Sequence, residues 1–160
     1  MKTNFLKLFA VFSVAFMFLA MVEVSNAQPR RARGKSFTKA EVERIIKRVE
    51  ERTDTFVKQY DKSLDNSSLN GSKKEDWLNN RARNLESATD ELRREYDRRD
   101  SWQENKNEVR NCLNIATDIN NNMKNKRYSN GTEANWKAVV YELNTLAKVY
   151  NLPQVGSRSY

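Results

Sequence analysis

Histidine is absent from this chain of 160 residues. Its absence removes the usual neutral-pH general base and the commonest metal ligand, which excludes Ser-His-Asp and Cys-His catalysis. Cys112 is the only cysteine, so neither an intramolecular disulfide nor a His/Cys metal cluster can form. The glycines Gly34, Gly71, Gly131 and Gly156 are too far apart to build a phosphate-cradling loop. Only one long apolar run is present, Leu8 to Val22, and it falls short of the ~20 residues that span a bilayer. No cofactor and no metal ligand set is expected.

That run belongs to a leader. Lys2 and Lys7 supply a positive start, Leu8 to Val22 the hydrophobic middle, and Ser25-Asn26-Ala27 the small residues at −3 and −1 of a signal-peptidase site. Residues 1–27 therefore read as a signal peptide, with Gln28 the first mature residue and a secreted or periplasmic destination. Residues 28–36 form a basic flexible tail. The formal net charge is +8, and Arg30, Arg31, Arg33 and Lys35 account for much of the excess; the region from Phe37 to Leu152 is near charge balance. Clustered arginines form bidentate bonds to phosphate or carboxylate, which makes these four residues candidates for binding a polyanion or anionic lipid. The tail contains no aromatic side chain for base stacking, so no specific nucleic-acid readout is expected.

From Phe37 onward, apolar residues recur at three- and four-residue spacing, which predicts an all-α fold. Four helices are expected, at about 39–65, 73–99, 102–127 and 133–151, packed as an up-down four-helix bundle, with residues 153–160 a polar C-terminal tail. The first begins at a capping box, Thr38 with Glu41, inside a hydrophobic staple of Phe37 and Val42. Its stripe is Val42, Ile45, Ile46, Val49, Thr53, Phe56, Tyr60 and Leu64. Ser72 with Glu75 and Ser101 with Glu104 offer two further boxes. A helix continued past Arg99 would present Arg99, Gln103 and Lys106 to the core, so a break is expected there. The inner faces of the second and third helices are Leu78, Ala82, Leu85, Ala88, Leu92 and Tyr96, then Val109, Cys112, Leu113, Ala116, Ile119 and Met123. Asn120, Asn121, Asn122 and Asn125 give the third helix poor propensity, and Lys124, Lys126 and Arg127 close it. Thr132 is expected to cap the fourth, whose stripe runs Trp136, Val139, Val140, Leu143, Leu146, Ala147 and Tyr150 until Pro153 and Gly156 stop it.

An offset of 36 residues superimposes the first helix on the second. It matches Glu50 with Glu86, Thr53-Asp54 with Thr89-Asp90, and Tyr60-Asp61 with Tyr96-Asp97. Such an offset equals ten helical turns and matches apolar positions in any two amphipathic helices, so duplication and periodicity remain alternatives. The identical polar pairs are what periodicity does not account for.

The remaining chemistry is carboxylate chemistry. Glu50 with Asp54, and Glu91 with Glu95, lie one turn apart and would matter if two helices brought them together. Asp90 with Arg94 and Glu95 with Arg99 instead suggest exposed ion pairs. The Tyr-Asp pairs fit buried hydrogen bonding, Cys112 fits a core position, and Trp77, Trp102 and Trp136 fit burial at the bundle ends. Asn66-Ser67-Ser68, Asn70-Gly71-Ser72 and Asn130-Gly131-Thr132 match the glycosylation pattern of a eukaryotic host, and turn and cap chemistry explains the same residues.

Trp136 followed by Leu143, Leu146-Ala147 and Tyr150, together with Val42-Glu43-Arg44-Ile45 and Tyr96-Asp97-Arg98-Arg99, resembles a group of small, secreted, uncharacterised bacterial all-helical proteins. The resemblance implies export and a helical fold, and carries no activity or site residues. The Leu-Thr-x-x-Gln repeats of exported stress chaperones are missing. The expectation is an exported, non-catalytic helical protein of the cell envelope. It would act as a binding or interaction module whose partner is an envelope protein or an anionic envelope component. The alternatives are a polyanion or anionic-lipid binder acting through the basic tail, and a carboxylate-based hydrolase.

Overall fold

In the computed structural model the chain divides into two units, Met1–Ser36 and Phe37–Tyr160, and residues 37–124 and 128–157 are described here. The leader, its cleavage residues Ser25, Ala27 and Gln28, and the tail residues Arg30, Arg31, Arg33 and Lys35 lie outside the described residues. So do Lys126 and Arg127. Among the described residues the fold is all-helical, with four α-helices, a short 3-10 turn and no strands. The helices are α1 (Lys39–Asp65), α2 (Lys73–Arg98), α3 (Lys106–Met123) and α4 (Asn130–Val149), and the 3-10 turn Trp102–Asn105 precedes α3. This is compatible with a helical bundle. No helix among these residues is long and apolar enough to cross a membrane.

Contacts between helix ends give the directions. Tyr96 Oη, at the end of α2, donates to Lys39 O at the start of α1 (2.5 Å), while Arg83 faces Asp61 (3.9 Å). The two helices are therefore antiparallel. Arg81 bonds Asp118 (2.5 Å) and Lys74 bonds Asn122 (3.2 Å), which opposes α3 to α2. Trp136 Nε1 donates to Asn120 (3.2 Å) and Tyr150 Oη to Trp102 O (2.7 Å), which opposes α4 to α3. Arg48 reaches Glu142 (3.0 Å) and Phe56 packs on Trp136 (4.8 Å between centroids), closing the ring with α4 antiparallel to α1.

The core lies along the shared axis of these contacts. Every residue of the α1, α2 and α3 stripes predicted from periodicity is buried, Cys112 among them, and on α4 only Val140 is half-buried. A fully buried Leu or Ile contributes about 1.5–3 kcal/mol relative to exposure, and these stripes supply most of the driving force. The Thr38 capping box forms in full, with Glu41 N donating to Thr38 Oγ1 (3.2 Å) and Thr38 N to Glu41 Oε2 (2.9 Å). At Ser72 the box is displaced: Ser72 Oγ accepts from Glu75 N (3.1 Å), but Glu75 reaches past it to Gly71 N (2.5 Å), where φ is +74°.

Several boundaries differ from the sequence reading, among them the end of α3, at Met123 rather than 127. Ser101 makes no cap; its hydroxyl bonds the Gln103 side chain instead, and residues 102–105 form a 3-10 turn before α3 begins at Lys106. Arg99 is extended and organises this corner. Its guanidinium contacts Glu95 (3.1 Å), the Glu104 carbonyl (2.6 Å) and both oxygens of Glu108 (2.9 and 3.1 Å). α4 starts at Asn130 rather than 133, because Ser129 is the cap and accepts from Thr132 N (3.4 Å). Thr132 is fully buried inside the first turn, with its hydroxyl against Gln59 O (3.4 Å), so it cannot stand outside the helix. Asn151, not Pro153, stops α4: it adopts φ +51°, and Leu152 N closes back on Ala147 O (2.9 Å) in a Schellman arrangement. The segment beyond is not wholly polar either, since Val155 is buried and its N–H donates to Asn144 (2.8 Å).

Candidate functional site

A concavity lies where α1 ends, the 66–72 loop turns and α4 begins. It is a groove of about 810 Å³ whose lining includes Gln59, Lys62, Ser63, Ser68, Tyr128 and Thr132, within the size range of small-molecule sites. An aromatic cluster supports it from below. Phe56 stacks on Tyr60 (5.0 Å), Tyr60 lies against Tyr128 (5.3 Å), and the two phenol oxygens are 3.3 Å apart. Burial, then the neighbouring Tyr128 hydroxyl, pushes the Tyr60 phenol far above its usual value, so it stays neutral.

The rim chemistry is amides and hydroxyls. Gln59 Oε1 accepts from Asn135 (2.7 Å), which leaves its amide N–H₂ for the groove. Gly131 permits this approach, because a Cβ there would stand 3.1 Å from Gln59 Oε1. The side chains of Lys62, Ser63 and Ser68 hydrogen-bond no described residue. Among the described lining residues Lys62 is the one charge, and none is a carboxylate or thiol. Such a surface can bind and orient a polar ligand. A smaller recess of about 360 Å³ beside Arg110, Thr117 and Leu152 contains one acid, Asp118, already bonded to Arg81.

The carboxylates gather elsewhere. Glu50 and Asp54 of α1 meet Glu86 and Asp90 of α2 across their antiparallel seam. Burial first, then Asp90, raises the Glu50 carboxyl above its usual value, and burial with Asp54 and Asp90 does the same to Glu86. Among the described residues no group of three or more acids, His or Cys is arranged to hold a metal ion. Glu91 and Glu95 do not join the seam: Glu91 pairs with Arg94, and Glu95 with Arg98 (2.8 Å) and Arg99. Arg94 thus takes Glu91 rather than the Asp90 expected from spacing.

Cys112 is fully buried, and burial pushes its thiol up to about 12, which leaves no thiolate for chemistry near neutrality. Of the tryptophans, Trp136 is buried and Trp102 half-buried against Tyr150 in an edge-on contact (5.3 Å). Trp77 departs from the expected burial. Its indole is 42% exposed, with Lys74 Nζ 4.3 Å from the ring.

The groove was not found from sequence, because its walls come from residues about 60 positions apart that no motif links. Three Asn-x-Ser/Thr matches surround this end, and there Asn66 and Asn70 act as turn residues, donating to Lys62 O and Asp65 O (2.7 Å each). Compared with models of protein families, with curated proteins and with solved structures, the chain gives no match.

Proposed function

We propose that this protein is an exported, non-catalytic binding module of the cell envelope, built as an up-down four-helix bundle behind a cleaved leader. The observation that carries the reading is the groove at the α1 end: a recess of about 810 Å³ in which the side chains of Lys62, Ser63 and Ser68 hydrogen-bond no described residue and whose described lining residues include no carboxylate or thiol. The leader pattern at residues 1–27 and the resemblance to small secreted helical proteins support the location. The antiparallel ring of helices supports the topology.

The test is a pulldown from the organism's own envelope with the exported protein as bait, beside a variant whose groove is filled by Ser68→Trp. Specific retention of an envelope component by the native protein and its loss in the variant is the expected result. Equal retention by both would refute the groove, and intact leader on the isolated protein would refute export by cleavage.

The second reading is polyanion binding through Arg30, Arg31, Arg33 and Lys35, favoured by four cations within six residues. Neutralising them would abolish that binding and leave groove-dependent retention unchanged.

A further inference from the structure

The charges of α1 are sorted by side. Toward α2 it presents acids: Glu43 pairs with Arg93 (3.4 Å), Asp61 faces Arg83 (3.9 Å), and Glu50 and Asp54 couple to Asp90 and Glu86. Its outer edge and the side toward α4 carry cations. Arg44, Lys47, Arg48 and Arg52 are all exposed, and Arg48 alone is paired, to Glu142 (3.0 Å). Arg44 donates only to the Ala40 carbonyl (3.2 Å). Glu51 is the single acid among them. At 3.6 residues per turn Arg44, Arg48, Arg52, Thr55, Gln59 and Lys62 follow one gently winding line, and its last two members are walls of the groove.

We propose that this edge of α1 and the groove at its end form one continuous track for a linear acidic polysaccharide, with carboxylates of the polymer on Arg44, Lys47 and Arg52 and sugar hydroxyls on Gln59, Ser63 and Ser68. This rests on the binding-module reading and names its ligand class. The line from Arg44 to Lys62 rises about 27 Å at 1.5 Å per residue, long enough for several sugar units. Exposed cations on successive turns, Arg48 alone of them paired to a described residue, suit a chain with regularly repeated negative charge. Two features favour a polysaccharide over other polyanions. A flat lipid surface would leave the recessed amides and hydroxyls unused, and the large apolar side chains exposed among the described residues, Trp77 and Tyr141, belong to α2 and α4 rather than to α1. Single-stranded nucleic acid binds through exposed aromatic platforms, and the track's one ring, Tyr128, is half-buried against Tyr60.

The experiment measures binding of the exported full chain to polygalacturonate, to neutral dextran and to phosphatidylglycerol vesicles. Four proteins are compared: the native chain, the triple variant Arg44→Gln/Lys47→Gln/Arg52→Gln, the groove variant Ser68→Trp, and a tail variant with Arg30, Arg31, Arg33 and Lys35 replaced by Gln. Circular dichroism controls for folding, and the substituted side chains are all exposed or in the tail. Polygalacturonate should bind the native and tail variants comparably, bind the triple variant at least tenfold more weakly, and lose affinity with Ser68→Trp; dextran should bind none strongly. Unchanged binding by the triple variant overturns the track, as does vesicle binding without polymer binding. Loss confined to the tail variant overturns it in favour of the tail. If no polymer binds while the envelope pulldown still depends on the groove, the track fails and the binding module stands.

Discussion

Replacing Glu50 and Glu86 by Gln should stabilise the protein near neutral pH and do nothing in acid. Both carboxyls are half-buried at the α1/α2 seam, and both are raised from 4.5, by burial first and then by Asp90 and Asp54. A carboxyl whose folded value lies above its unfolded value binds protons more tightly in the native state. Its favourable contribution is thus complete below the unfolded value and is lost as pH rises through the folded one. At about pH 7 both groups are ionised and face like charges, each such contact costing about 0.2–0.5 kcal/mol. Lys58, Arg83 and Arg93 offset part of this, which leaves roughly 0.5 kcal/mol per site, or about 1 kcal/mol for the pair. Gln equals Glu in helix propensity and nearly in size, so the substitution changes charge and little else. For a domain of this size 1 kcal/mol corresponds to about 4 °C in Tm. Thermal unfolding followed by circular dichroism at about pH 7 should show that gain, and at about pH 3 the variant and native curves should coincide. A gain that persists in acid, or no gain at neutral pH, would refute the electrostatic account of the seam.

Arg99→Gln should lower Tm by loosening the α2/α3 corner, where Arg99 bridges Glu95, the Glu104 carbonyl and Glu108. Burial pushes the Glu108 carboxyl up, but the Arg99 contact outweighs it and holds it below the usual range, so the loss should shrink as pH falls through that range; a pH-independent loss would count against the clasp. Cys112, fully buried and with its thiol pushed up to about 12, should resist a thiol reagent in the native protein and react once denaturant unfolds the bundle. Prompt native labelling would contradict its place in the core. Tyr96→Phe removes the bond to Lys39 O and leaves that carbonyl beside an apolar ring; a loss of about 1 kcal/mol in denaturant unfolding is expected, and no change would show the bond to be idle.

The inner faces were legible because burial acts on period: Val42 to Leu64, Leu78 to Tyr96 and Val109 to Met123 form single stripes whatever their partners. What period does not carry is the identity of the neighbour. Val57 and Val155 are buried because a second element covers them, and Glu142 is buried because Arg48 of α1 lies over it. The start of α4 at Asn130 departs from the sequence expectation for a related reason. Asn130-Gly131 has turn composition, yet Thr132 is needed against Gln59, and that requirement pulls both residues into the first helical turn. The asparagines of α3, unfavourable by propensity, hold other elements: Asn120 accepts from Trp136, and Asn122 accepts from Lys74. Propensity measures a helix alone, whereas these side chains are selected by what they touch.

The carboxylate seam shows how a sequence pattern acquires meaning only once direction is known. Glu50 and Asp54 follow the buried Val49 and Thr53 on α1 as Glu86 and Asp90 follow the buried Leu85 and Thr89 on α2, so each pair has the same phase relative to the apolar stripe of its own helix. Antiparallel packing then lays Glu50 beside Asp90 and Asp54 beside Glu86, and each aspartate becomes the same-helix neighbour of one glutamate and the cross-seam neighbour of the other. Asp54 and Asp90 both act on Glu50 and on Glu86. If the offset is matched by a two-fold relation between α1 and α2, the two aspartates are interchangeable. Asp54→Asn and Asp90→Asn should therefore each lower the titration midpoints of both glutamates, by similar amounts, when the carboxyl carbons are followed by NMR. A response of Glu50 to Asp54→Asn with none to Asp90→Asn would mean that only the contact within one helix matters, and that the 36-residue similarity is no more than the shared period of two amphipathic helices.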